Sequence, residues 1–404
     1  MEQTVLSLDM FQSAGVGAFA LLLGYFLTRR IPFLKRFCIP APVSGGLIFS
    51  LLSLALYGLA GVECSFDGTI KDFCMMVFFT TVGFQSDMKM LRRGGKPLLI
   101  MILLVAVLIT CQNLLSVGIA RGMGLDPLFG MAAGSIPMCG GHGTAGGFAP
   151  LLEQLGLAGA PSITLAADTF ALVAGSLIGG PLAEELIRKR KLTPSADADG
   201  KGDAPGQDSG SAPSAEMHDY VKAVCLIIIT MGLGVLFSKL LSRTGIVFPT
   251  YFGSLIAAAL IRNLIDLSPR ASTLVHRRSL AAIGDICLSL FLGIAMATLK
   301  LWELAGLALP LCLILLSQAV FIALYARFIA FPALGRDYDA ALLTSGLCGF
   351  GLGATPNAMA NMTAVCYKYS FSVKPFIIVP IIGAMFVDLI NTGIITLFLN
   401  FIRP

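Results

Sequence analysis

Two glycine-rich runs hold the residues best suited to chemistry: GSIPMCGGHGTAGGFAP over 134–150 and SGLCGFGLGATPNAMANM over 345–362. Glycine inside a helix costs about 1 kcal/mol relative to alanine, so each run is expected to form a hairpin with an unwound tip, near Gly143 in the first and Gly353 in the second. Free backbone N–H groups and helix starts at such a tip suit an anion, and free carbonyls suit a cation. Ser135, Thr144 and Thr355 add hydroxyls. Asp168 and Asp388 stand inside apolar stretches, with Asn391 one helical turn beyond Asp388 on the same face. An ionisable group there is expensive and defaults to a functional role, here cation coordination or acceptance of a substrate ammonium. No lysine or arginine falls mid-stretch, so a dicarboxylate would need backbone N–H groups, hydroxyls and a co-bound cation such as sodium to neutralise it.

Other chemistries fit less well. Gly-Gly-His-Gly-Thr at 140–144 lacks the lysine of a phosphate-binding loop, and Gly349, Gly351 and Ala354 lack the strand–helix unit of a dinucleotide site. Cys139 with His142 supplies two metal ligands where a closed zinc site needs four. The bland reading of the glycines is close helix packing, and two runs at matching positions weigh against it.

The surrounding elements must be membrane helices. Of 404 residues, 56% are hydrophobic and 13% charged, with mean hydropathy +0.85, more apolar surface than a soluble core of this length buries. Apolar stretches of about 20 residues recur without the alternation of a barrel strand. The net charge of +5 comes with basic residues in short loops beside these stretches, so nucleic acid is not the expected partner. The ten cysteines read as small hydrophobes, with no disulfide framework. Acidic Glu2 and Asp9 precede the first apolar run, so no removable signal peptide is expected.

Ten spans are expected, at 11–28, 42–60, 73–90, 97–120, 161–187, 220–240, 246–264, 279–299, 301–327 and 375–402, with broken segments at 127–155 and 339–368. Residues 193–219, rich in Ala, Asp, Gly, Ser and Pro, read as a linker between an N-terminal repeat, 1–192, and a C-terminal one, 220–404. Pro42 with Gly46 recurs as Pro249 with Gly253, Cys74 with Phe78 as Cys287 with Phe291, and Gly141 with Gly143 as Gly351 with Gly353, at an offset near 210. Five spans per copy make consecutive copies inverted. Basic loops (Arg29, Arg30, Lys35, Arg36; Lys89, Arg92, Arg93, Lys96; Arg188 to Lys191; Arg270, Arg277, Arg278) are expected on the cytoplasmic side, which puts both termini outside. The fold class is thus an all-α integral membrane protein of two inverted five-helix repeats, each with a re-entrant glycine-rich hairpin whose tip reaches the midplane. Asp285 is expected to cap or snorkel, and Glu184 and Glu185 to serve structure at the interface.

Gly140-Gly141-His142-Gly143-Thr144, the run from Thr169-Phe170 to Leu177-Ile178-Gly179-Gly180-Pro181, Gly353-Ala354-Thr355-Pro356 with Ala360-Asn361-Met362, and Val379-Pro380 through Gly383-Ala384 to Asp388 and Asn391 occur in one order. In these the chain resembles the bacterial glutamate:sodium symporter family over nearly its whole length. The resemblance implies sodium-driven glutamate uptake across the cytoplasmic (inner) membrane, elevator-like motion of a substrate-carrying core, a homodimer, and no cofactor beyond the sodium coupling ion. It implies substrate contacts at Ser135, Gly140, Gly141, His142, Gly143, Thr144, Asp168, Gly351, Gly353, Thr355 and Asn357, and sodium contacts at Thr169, Asn361, Asp388 and Asn391. Asp168 stands where a small residue is expected, and a charge there would alter substrate choice or cation stoichiometry.

A carrier of another di- or tricarboxylate, coupled to sodium or protons, is the nearest alternative on this architecture. A channel would need a continuous polar pore. An enzyme would need a nucleophile, base and orienting acid, which do not occur together in the sequence.

Overall fold

A computed structural model of the chain describes residues 4–36, 39–85, 95–193, 216–243, 249–265, 276–304 and 306–402. The expected linker from 194 to 215, the end of the third span at Met90, Cys38, Lys89, Arg92, Arg93, Arg270 and the side chains of Lys35 and Arg36 lie outside what is described.

The elements in order are β1 (Thr4–Leu8), α1 (Met10–Arg30), α2 (Pro32–Arg36), α3 (Ala41–Ala60), β2 (Val62–Phe66), α4 (Thr69–Gln85), α5 (Gly95–Gly122), α6 (Pro127–Ala132), α7 (Ser135–Met138), α8 (Gly141–Gln154) and α9 (Ala160–Arg190). They continue with α10 (Met217–Ser242), α11 (Phe252–Ile265), α12 (Arg277–Ala297), α13 (Ala308–Ala333), α14 (Tyr338–Gly351), α15 (Thr355–Lys368), α16 (Val373–Ile381) and α17 (Val387–Ile402). Each expected span meets a helix. Among the described residues seven helices are long and apolar enough to cross a membrane: α1, α3, α5, α9, α10 over Met217–Leu240, α12 and α13.

Several details differ from expectation. A two-stranded parallel ribbon pairs Thr4 with Val62 through Leu8 with Phe66, so the chain is mostly helical rather than wholly so. Helix α10 begins at Met217, within the 193–219 read as linker. The expected start of the ninth span is a 3₁₀ turn, Leu301–Leu304, where Trp302 stacks on Tyr57 at 4.2 Å, and the helix proper starts at Ala308 with Pro310 in its first turn. The tenth span is interrupted. Pro380 removes one backbone donor, and the ladder slips into a π turn over Ile382–Phe386 between α16 and α17. Asp285 caps nothing, because His276 caps α12 through Ser279 and Asp285 lies two turns inside.

The chain divides into two compact units. The first comprises Met1–Ser86, Ala145–Ala166 and Ala215–Leu309, the second Asp87–Thr144, Ala167–Ser214 and Pro310–Pro404, so the boundary falls inside both α8 and α9. In the first unit α1 packs on α3 and α12, and α4 on α11 and α12. A Cβ on Gly45 would stand 1.8 Å from the Ala20 carbonyl oxygen, so a small residue is what lets α3 meet α1 backbone to backbone. Tyr251 stacks on Phe79 at 3.6 Å and takes the edge of Phe148, fixing the later part of α8 in this unit.

In the second unit Tyr325 of α13 donates to the Leu104 carbonyl of α5 at 2.7 Å. Ala183 and Ile187 of α9 pack with Phe331, Tyr338 and Leu342. Glu185 holds Lys189 at 2.6 Å and Arg327 at 2.9 Å, and Glu184 holds Lys368 at 2.6 Å, the structural role expected of this acidic pair.

Candidate functional site

Every candidate site residue named from the sequence falls in the second unit, and that unit is described here by itself. The first broken segment starts cleanly: Asp126 caps α6 by accepting from the Leu128 N–H at 2.8 Å, and Pro127 suits the first helical position. It is cut at Gly134, where a Cβ would lie 2.6 Å from Ser116 Oγ and 2.7 Å from Asn113 Oδ1. That approach lets Asn113 accept from the Ser135 N–H at 2.9 Å. The chain turns again at Cys139–Gly140 and restarts as α8 at Gly141, whose φ of +63° favours glycine. Gly141 is therefore the turning residue, and Gly143, expected at the tip, is two positions inside α8.

The second broken segment mirrors this. Asp337 caps α14 through Ala340 N–H at 2.7 Å, the helix ends at Gly351, Gly353 takes φ +143°, and α15 starts at Thr355 with Pro356 in its first turn. The two breaks meet. Gly353 N–H donates to the Met138 carbonyl at 2.7 Å, and a Cβ on Gly141 would stand 3.2 Å from the Gly353 carbonyl oxygen. The starts of α8 and α15, each 14 residues long, thus lie beside one junction, and their first-turn N–H groups carry the positive ends of two helix dipoles.

Polar side chains bind the breaks to neighbouring helices. Asn391 of α17 accepts from Ser135 Oγ at 2.7 Å and donates to the Ser135 carbonyl at 3.0 Å. Asn357 and Asn361 of α15 donate to the Leu172 and Gly175 carbonyls of α9, both at 2.9 Å, and Ser345 of α14 donates to Gly179 at 3.0 Å. Each bond of this kind contributes about 1 kcal/mol net. The fully buried Thr144 hydroxyl stands beside the Asp388 carboxyl, and Gly383 leaves room for Thr355, whose Oγ1 would be 2.2 Å from a Cβ there. Gly140 is likewise kept small by Thr144 and Asn391, the latter 2.7 Å from where its Cβ would be. Gly351 has a packing role against Leu108 and Ile322. Thr169, half-buried, follows Asp168 on α9.

Asp168, with no exposure, contacts His142 Nδ1, and His142 is itself 6% exposed. An acid facing lipid at a helix centre would cost about 2.5–3.5 kcal/mol, and burial against an imidazole removes that exposure. Asp168 Oδ1, His142 Nε2, Asn357 Oδ1 and Thr392 Oγ1 are buried without a hydrogen-bond partner among the described residues. Buried polar atoms are normally paired; those of His142, Asp168 and Asn357 adjoin the two breaks, while Thr230 and Ser254 of the first unit carry such atoms as well.

Sequence reasoning missed the braces behind the breaks. Gln112, Asn113 and Gln318 are fully buried; Gln112 donates to the Gly351 carbonyl and Gln318 to the Gln112 carbonyl, both at 2.8 Å. The signal was present, since Gln112 and Gln318 are amides inside the fourth apolar span of each half, 206 positions apart.

Long apolar helices together with a buried, polar junction of broken ones define a multi-pass helical membrane transporter. The family model described as "Sodium/glutamate symporter" matches residues 6–371. The sodium/glutamate symporter of Escherichia coli (strain K12) is 39% identical over 402 residues, 97% of this chain and 98% of the relative. That of Haemophilus influenzae (strain ATCC 51907 / DSM 11121 / KW20 / Rd) is 37% identical over 390 residues, 95% of this chain and 96% of the relative. The chain belongs to the sodium/glutamate symporter family.

Proposed function

We propose that the chain imports glutamate, or a close acidic amino acid, together with sodium, and that the junction of the two helix breaks is where both bind. The observation that carries this reading is the bond from Gly353 N–H to the Met138 carbonyl, which sets two helix starts beside buried, unpartnered polar atoms. Helix starts at Gly141 and Thr355 neutralise the substrate carboxylates, with Ser135, Gly140, His142, Gly143, Thr144, Gly351, Gly353, Asn357 and Asp168 forming the surround. Asp388, Asn391, Asn361 and Thr169 serve sodium, with Asn391 and Asn361 acting in part as the ties that hold the breaks in position. No bond of the substrate is made or broken.

The chain is read as two inverted repeats, 1–192 and 220–404 joined through 193–219, with both breaks re-entrant, the first from outside and the second from inside, and both termini outside. In support, each repeat contributes its first three spans to one unit and most of its fourth and fifth to the other, the later limb of the first hairpin, from Ala145, staying with the first unit. The transport step is an elevator-type displacement of the helices that carry the site, in a homodimer in the bacterial cytoplasmic membrane.

The test is uptake of labelled glutamate into proteoliposomes with and without an inward sodium gradient. Accumulation only with the gradient is expected; equilibration without accumulation would indicate a channel. Competition by unlabelled acids separates glutamate from another di- or tricarboxylate as substrate.

A further inference from the structure

Within the first unit, walled in part by the later limb of the first broken segment, lies a cavity of about 250 Å³. Lys71 from the first turn of α4, Glu153 from the last turn of α8, and Lys300 and Glu303 after α12 line it, with Leu165 and Phe291 as apolar wall. Glu153 interacts electrostatically with Glu303, Lys71 and Lys300, so all four charges act on one small space. Lys300 is already held by Glu63 at 2.7 Å, and Lys71 has only a 3.9 Å contact with Asp72. Neither the Glu153 nor the Glu303 carboxylate has a hydrogen-bond or ion-pair partner among the described residues.

We infer that this cavity binds a free, zwitterionic α-amino acid, as a site separate from the transport junction. A metal cation would sit beside two ammonium groups, and a simple anion beside two carboxylates. A ligand with both poles satisfies both: its ammonium donates to Glu153 and Glu303, and its carboxylate accepts from Lys71. The volume is below the roughly 300–1,000 Å³ of pockets that hold larger organic ligands, so the ligand is small. That the cavity opens to the medium rests on the topology proposed above; its ligand chemistry does not.

The test uses the full chain in lipid nanodiscs with no gradient and labelled L-glutamine, a zwitterion without net charge, as probe. Saturable binding is expected, weakened about tenfold or more by Lys71→Met and by Glu303→Gln, each of which removes a charge-assisted contact. Sodium-driven glutamate uptake by both variants serves as the check on folding. On the unaltered protein, N-acetylglutamine and glutamine methyl ester, each lacking one pole, should fail to displace the probe. Absence of saturable binding, binding indifferent to both substitutions, displacement by either one-pole analogue, or displacement by calcium would overturn the inference. Should sodium drive no glutamate uptake even in the unaltered protein, the proposed function would fall while the binding comparison still stood.

Discussion

At Gly353 and Gly141 the backbone adopts positive φ, where a side chain costs about 1–3 kcal/mol of strain. At Gly353 an added Cβ would also stand 2.9 Å from Asn357 Nδ2 and 3.1 Å from Leu172. Gly353→Val and Gly141→Val are expected to abolish uptake in membranes that still contain the protein; uptake at the unaltered rate in both would remove the junction from the transport route. Asp388→Ala should weaken sodium activation of uptake severalfold more than it lowers the amount of protein in the membrane. An unchanged sodium activation curve would exclude Asp388 from the cation site. The glycines were legible because their density is incompatible with an ordinary membrane helix. The exact turning residue was not, since Gly141 and Gly143 are equivalent in composition and only the φ of Gly141 separates them. Gln112, Asn113 and Gln318 escaped because an amide in an apolar span lowers hydropathy little and its partners lie far away in sequence.

Among elements, α5 acts as the brace of both breaks, through Asn113 to Ser135 and Gln112 to Gly351. Gln112→Leu should cost about 1 kcal/mol of stability, read as a lower thermal midpoint in detergent, with uptake falling in parallel. A loss of uptake with unfolding unchanged would make Gln112 a ligand instead of a brace. Apolar length located the helices well, from Met10–Arg30 to Arg277–Ala297. It could not announce the ribbon of Thr4–Leu8 with Val62–Phe66, whose strands are short and find each other across three intervening helices. Pro380 signalled a disturbance in the last span, and hydropathy alone could not say that it would be a π turn.

At the scale of the molecule, the proposed duplication rests on the offset near 210 between matching pairs of residues. What the offset does not convey is that each compact unit draws on both halves of the chain, because contact between distant segments leaves no local trace. The proposed topology has a direct check in the thiols. Cys64 on β2 is half-buried, and an impermeant maleimide should label it in intact cells. Tyr369, 44% exposed just after α15, should as Tyr369→Cys react only once the membrane is permeabilised. Labelling of both from outside would sink the inverted arrangement.

The link between Gly353 and Met138 uses an amide hydrogen and a carbonyl, neither of which belongs to a side chain. Alanine scanning deletes neither group, and at Gly353 it adds strain of its own, so no side-chain substitution isolates the link. Converting that one peptide group to an ester deletes the donor while sparing every residue's identity, which makes chemical semisynthesis, rather than mutagenesis, the means of weighing it.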